Sequence, residues 1–112
     1  MNNYSLTFNN SSGNGSTVHV DLLNIKKSAI ILRSLNHKLR QQMLKLIDEH
    51  GKMTVTELYQ ELRLEQSVAS QHLAILRKAA FVKTARNGKF IHYSINTERL
   101  EEINEFVKNL LK

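Results

Sequence analysis

Residues Gln66-Ser67-Val68-Ala69-Ser70-Gln71-His72-Leu73-Ala74-Ile75-Leu76-Arg77-Lys78 decide how this 112-residue chain folds. Ala69, Leu73, Leu76 and Ala80 recur at helical spacing, so one face of the run is apolar while the other offers amides and hydroxyls. Only Arg63, Leu64 and Glu65 separate this run from an earlier one in which Val55, Leu58, Tyr59 and Leu62 share a face. Thr54 and Glu57 open that earlier run as a T-x-x-E capping box, and the helix it starts ends near Leu62. A three-residue connection leaves little freedom, so the two helices are expected to cross as a helix-turn-helix.

Working outward, Phe81-Val82-Lys83-Thr84-Ala85 and Phe90-Ile91-His92-Tyr93-Ser94-Ile95 read as strands flanking Arg86-Asn87-Gly88-Lys89. The Asn-Gly pair in that connection is a hairpin signal. Asn96 or Thr97 can cap a last helix whose Leu100, Ile103, Val107, Leu110 and Leu111 form an apolar stripe, with Phe106 beside it. Upstream, Asp21 is a candidate N-cap for a helix carrying Leu22, Ile25, Ala29, Leu32 and Leu35, which runs to Asn36. A second helix over about 37–50 places Leu39, Met43, Leu46 and Ile47 on one face and stops at His50-Gly51. The expected fold is therefore mostly α with one small β-hairpin (α+β): four helices, the hairpin, then a fifth helix. That order is the logic of a winged helix-turn-helix domain, here over residues 21–112. Residues 1–20, with Asn9-Asn10-Ser11-Ser12-Gly13-Asn14-Gly15-Ser16, read as a flexible polar tail that buries too little to offset the entropy of ordering. His19, at its end, reads as solvated.

Sixteen Lys and Arg stand against ten Asp and Glu, a net charge of +6 that favours a polyanionic partner. No segment approaches the roughly 18 apolar residues of a membrane span, and no signal peptide opens the chain, so a cytoplasmic protein without a membrane partner is expected. The absence of cysteine excludes disulfides, thiolate metal sites and thiol redox sensing. The charge is also localised. Residues 66–95 contain Arg77, Lys78, Lys83, Arg86 and Lys89 without one Asp or Glu, so a nucleic-acid contact is expected there.

In a helix-turn-helix the second helix lies in the major groove and turns its N-terminal side chains to base edges. Here these are Gln66, Ser67, Val68, Ser70 and Gln71, which can donate, accept or touch a thymine methyl. Gln66 and Ser67 could equally serve only the free N–H groups of the first turn. His72 could reach a phosphate or base, or pack against the preceding helix. Arg77 and Lys78 read as phosphate-facing or solvated charges. Arg86 and Lys89 at the hairpin tip suit phosphates or a narrow minor groove.

Leu35-Asn36-His37-Lys38-Leu39-Arg40, Gln66 through Leu73 with Leu76-Arg77-Lys78-Ala79, and Arg86-Asn87-Gly88-Lys89 with Tyr93-Ser94-Ile95 together resemble the ArsR/SmtB family over about residues 25–111. That family comprises small dimeric winged-helix repressors. The resemblance implies a homodimer built mainly from the first and last helices, with Leu100, Ile103, Val107 and Leu110 at the interface. It further implies binding to double-stranded DNA at an operator, which blocks transcription, and release by an effector that the sequence does not name. Two positions depart from the family pattern. Glu65 replaces a Ser-type cap and would repel a nearby phosphate. Ala80 replaces a glycine, and if φ is positive there the cost is on the order of 1 kcal/mol. The cysteine or Asp, His and Glu ligand sets of metal-sensing relatives are missing, so neither a metal nor another cofactor is expected. No nucleophile with a base and no glycine-rich phosphate loop points to an enzyme, and the scattered histidines suggest no ligand set. The competing reading is a winged-helix protein interaction module without operator specificity, against which the acid-free basic stretch argues. Single-strand RNA binding is a poor fit, because Phe90 and Tyr93 on a two-stranded wing make a weak stacking platform.

Overall fold

The computed structural model describes residues 4–9 and 15–112, and the chain divides into two units, Met1–Arg33 and Ser34–Lys112. In the first unit β1 (Ser5–Asn9) pairs antiparallel with β2 (Thr17–Asp21). These strands differ from the tail expected of residues 1–20. The physical reason is a period of two hidden in polar sequence: Leu6 sits opposite Val20 and Phe8 opposite Val18, which gathers the apolar side chains on one face. On the other face Thr7 Oγ1 lies 3.2 Å from His19 Nδ1, so His19 is hydrogen-bonded as well as exposed. The polar run 10–14 that suggested a tail lies outside the described residues, as do residues 1–3. β2 passes directly into α1 (Leu22–Leu35). The Asp21 carboxylate caps that helix by accepting from the N–H groups of Leu23 and Asn24 at 3.0 and 3.1 Å.

The second unit holds α2 (Lys38–His50), β3 (Met53–Thr54), α3 (Val55–Glu61), α4 (Gln66–Lys78), β4 (Val82–Asn87), β5 (Phe90–Ile95) and α5 (Thr97–Leu110). Each helix expected from periodicity is present within a residue or two. The Thr54 capping box forms as its spacing implies: Thr54 Oγ1 accepts from Glu57 N–H, and Glu57 accepts from Thr54 N–H at 2.9 Å. These bonds to the Thr54 backbone and hydroxyl hold the Glu57 carboxyl below its ordinary value. The sheet has the order β3-β5-β4 and is antiparallel throughout. Its third strand, β3, pairs Met53 with Tyr93 and Thr54 with His92; two residues are too short to show a period in sequence. Met43, Ile47, Leu58, Leu73, Leu76 and Phe81 are fully buried between the helices and the sheet.

Two left-handed residues fix the ends of the helix-turn-helix. At the end of α3, Arg63 has φ 55°, Arg63 N–H donates to Gln60 O and Leu64 N–H to Tyr59 O. At the end of α4, Ala80 has φ 67°, Ala80 N–H donates to Arg77 O and Phe81 N–H to Leu76 O. Both are Schellman motifs, a geometry that usually takes glycine. The positive φ expected to make Ala80 costly is thus present. Its compensation is visible too, since Phe81 and Leu76, joined by the motif's outer hydrogen bond, both have no exposed surface.

Candidate nucleic-acid interface

α4 buries Ala69, Leu73 and Leu76, which turns the opposite side of the helix to solvent. At 3.6 residues per turn that outer side carries Ser67, Gln71, Ala74 and Lys78, all exposed, with exposed Gln66, Ser70 and Arg77 along one flank. Val68 and His72 lie on the other flank and are half-buried. The structure therefore brings Ser67 and Gln71 to the outermost position. Glu65, the N-cap residue, makes no side-chain capping bond. Lys78, on the outer face, and exposed Ile75 belong to the same surface, a placement that the helical spacing already contained.

His72 does not resolve as a contact to the preceding helix. It meets α2, where Arg40 Nη1 lies 3.1 Å from His72 Nδ1 and the His37 ring centroid lies 5.0 Å from that of His72. Burial first, then the His37 ring and the Arg40 guanidinium, hold His72 below the ordinary histidine value. The far end of α4 is gripped by the start of α5. Asn96 Nδ2 donates to Ala80 O at 2.9 Å, and Arg99 Nε donates to Ala79 O at 3.0 Å. Arg40 and Arg99, which the sequence-based set of site residues does not include, touch α4 at its flank and its end.

In the wing, Asn87 pairs with Phe90, so of the connection Arg86–Lys89 only Gly88 and Lys89 form the turn. Gly88 has φ 63° and Lys89 no positive φ, the pattern of a II′ hairpin with glycine first. The wing tip exposes Arg86 and Lys89. Arg86 Nε donates to Gly88 O at 3.1 Å, and Lys89 Nζ sits 5.6 Å from the Phe90 ring centroid. Among the described residues no ion pair involves Arg77, Lys78, Lys83, Arg86 or Lys89, so their field is not cancelled by local carboxylates.

α5 buries none of its residues fully. Leu100, Ile103 and Val107 are half-buried and, with Leu35, line an open apolar groove; Phe106 and Leu110 are 47% and 64% exposed. Among the described residues no helix is long and apolar enough to cross a membrane, and no group of three His, Asp or Glu could hold a metal ion.

Residues 37–84 match the model of a family described as bacterial regulatory protein, arsR family. The chain is 36% identical over 85 residues to an HTH-type transcriptional regulator of Methanocaldococcus jannaschii, covering 76% of this chain and 96% of that one. It is 32% identical to the transcriptional repressor PagR of Bacillus anthracis over 75% of this chain and 84% of the repressor. The crystal structure of PagR superposes with a TM-score of 0.60 at 31% identity, covering 78% of this chain and 99% of PagR. The structure of HlyU from Vibrio cholerae gives the same TM-score, 0.60, at 29% identity over 78% of this chain and 94% of that one.

Proposed function

The chain belongs to the arsR family of winged helix-turn-helix transcription regulators, and from that premise we propose that it represses transcription by binding an inverted-repeat operator as a homodimer. It is a DNA-binding regulator and not an enzyme, as its relatives are. In the proposed complex α4 enters the major groove and the β4–β5 wing lies on the backbone or in the minor groove. The observation that carries this reading is the outer side of α4: Ser67 and Gln71 face solvent, with Gln66, Ser70 and Arg77 beside them and no carboxylate on the helix. Hydroxyls and amides can discriminate base edges, whereas contacts to phosphate alone would hold any duplex. Val68 can touch a thymine methyl from the flank, and Arg86 and Lys89 supply phosphate contacts.

The unburied stripe of α5 supports the homodimer. A second copy would bury Leu100, Ile103, Val107 and Leu110 further, and the groove beside Leu35 offers that copy an apolar seat. Two-fold symmetry then sets the half-sites about one DNA turn apart, roughly 10 bp centre to centre. Repression needs no further surface, since an occupied operator excludes the polymerase. A cytoplasmic location follows from this role.

Selection of bound duplexes from a random pool, followed by footprinting, tests the proposal. An inverted repeat protected at two to one protein-to-duplex stoichiometry is expected. A pool that enriches no sequence would favour the protein interaction module instead.

A further inference from the structure

Arg40 is a cation on the apolar side of α2, with only 9% of its surface exposed. Its Nε–H donates to Ser34 O at 2.7 Å, its Nη1 lies 3.1 Å from His72 Nδ1, and its backbone N–H donates to His37 Nδ1 at 3.4 Å. A guanidinium and a backbone amide can only donate. Both histidines therefore accept through Nδ1, and each neutral ring must carry its proton on Nε2. One residue thus sets two tautomers. The two rings stand 5.0 Å apart between centroids, tilted by 48°. His37 is exposed, and no buried side-chain nitrogen among the described residues lacks a partner, so Nε2 of half-buried His72 also reaches solvent. No hydrogen bond or ion pair among the described residues engages either Nε2.

We propose that the Nε2–H groups of His37 and His72 form a two-donor site for one DNA backbone phosphate on the flank of α4, with Arg40 as the positioning residue that orients both rings. The inference rests on the reading of α4 as the DNA-facing helix and adds to it a contact from α2. A phosphate fits better than a base for a geometric reason. His72 lies about 100° around the helix from Gln71, away from the base-facing side, and its partner His37 belongs to another element altogether. Rings whose centroids lie 5.0 Å apart are near enough for each to offer one N–H to a single phosphate. Both rings act as neutral donors, because a proton on Nδ1 would confront an Arg40 donor. The downward shift of His72 agrees with that state.

The test uses the full chain, a selected operator and a scrambled duplex. His37→Ser keeps an N-cap for α2 and His72→Asn keeps an acceptor for Arg40, while both side chains are too short to place a donor at the Nε2 position. Each variant is expected to weaken both duplexes alike by roughly ten-fold, the loss of a neutral donor to a charged acceptor. The slope of log affinity against log salt stays unchanged, since a neutral donor releases no counterion. Side-chain nitrogen NMR of the wild type is expected to show slowed exchange of both Nε2–H protons on adding duplex, with both Nδ1 atoms still unprotonated. A loss confined to the operator would make His72 a base reader and overturn the phosphate site. A slope lowered by about one per half-site would mean charged rings and overturn the neutral pair. Wild type that binds duplex while both variants bind equally well overturns the site alone; wild type that binds neither duplex overturns the DNA reading and this site with it.

Discussion

α4 and the β4–β5 wing share one acid-free stretch of sequence, yet in the proposed complex they offer DNA different atoms. The outer side of α4 presents Ser67 and Gln71, side chains that can both donate and accept. The wing tip presents Arg86 and Lys89, which only donate and carry full charge. They also differ in how they are held. α4 is fixed at its end by a Schellman motif, Asn96 and Arg99, and along its flank by Arg40. The wing tip is held by a two-residue turn and one side-chain bond from Arg86 to Gly88. Base reading needs atoms placed to within a hydrogen bond's tolerance, whereas counterion release needs only charge near phosphate. A rigid reader and a loosely held electrostatic contact are what that difference calls for.

The largest effect is expected from removing the symmetry that doubles both elements. Ile103→Asp with Val107→Asp would place unpaired charges in the proposed α5 interface, a loss of several kcal/mol that light scattering should report as a monomer. Both α4 and wing contributions to operator affinity should then fall together. Next, Gln71→Ala should cost about 1–3 kcal/mol per half-site, with a panel of single-base operator variants showing relaxed preference at one base pair. Lys89→Ala is expected to weaken every duplex alike and to reduce the salt slope by about one per contact, so about two per dimer.

Smaller effects concern the frame that holds α4. Ala80→Gly relieves a left-handed alanine and should raise unfolding stability by about 1 kcal/mol without changing operator preference, read by denaturant titration and by gel shift. Glu57 gives a pH signature of the capping box. Its folded-state carboxyl lies below the ordinary value, so its stabilising contribution is complete above the unfolded carboxylate range and is lost as pH falls through the lower folded value. The gap in thermal midpoint between wild type and Glu57→Gln should therefore be widest at neutral pH and close as the solution is acidified.

The same contrast explains what the sequence could reveal. α1 through α5 were legible because each carries apolar residues along one face at a period near 3.6, and the caps at Asp21, Thr54 and Asn96 mark the starts of α1, α3 and α5. The proposed base-facing residues follow from the position of α4 in the motif, and the structure leaves Ser67 and Gln71 exposed on its outer side. β3 was hidden by its two-residue length, and the β1–β2 pairing by polar residues between its apolar ones. The four-residue connection Arg86–Lys89 is shorter in the structure, because Arg86 pairs with Ile91 and Asn87 with Phe90, a continuation of the ladder that their polar side chains hide in sequence. The Arg40 cluster joins residues distant in sequence and so has no local pattern. Its one available signal was a cation at i, i+4, i+7 spacing with Leu44 and Ile47, on the face that enters the core.

The central claim is that α4 reads sequence and the wing does not. Its most direct test is the ratio of operator to scrambled-duplex affinity, measured at one fixed salt concentration for wild type, Gln71→Ala and Lys89→Ala. The ratio should fall by roughly ten-fold or more for Gln71→Ala and stay at the wild-type value for Lys89→Ala. An unchanged ratio for Gln71→Ala, or a ratio that collapses with Lys89→Ala, would contradict the assignment of α4 as the reader.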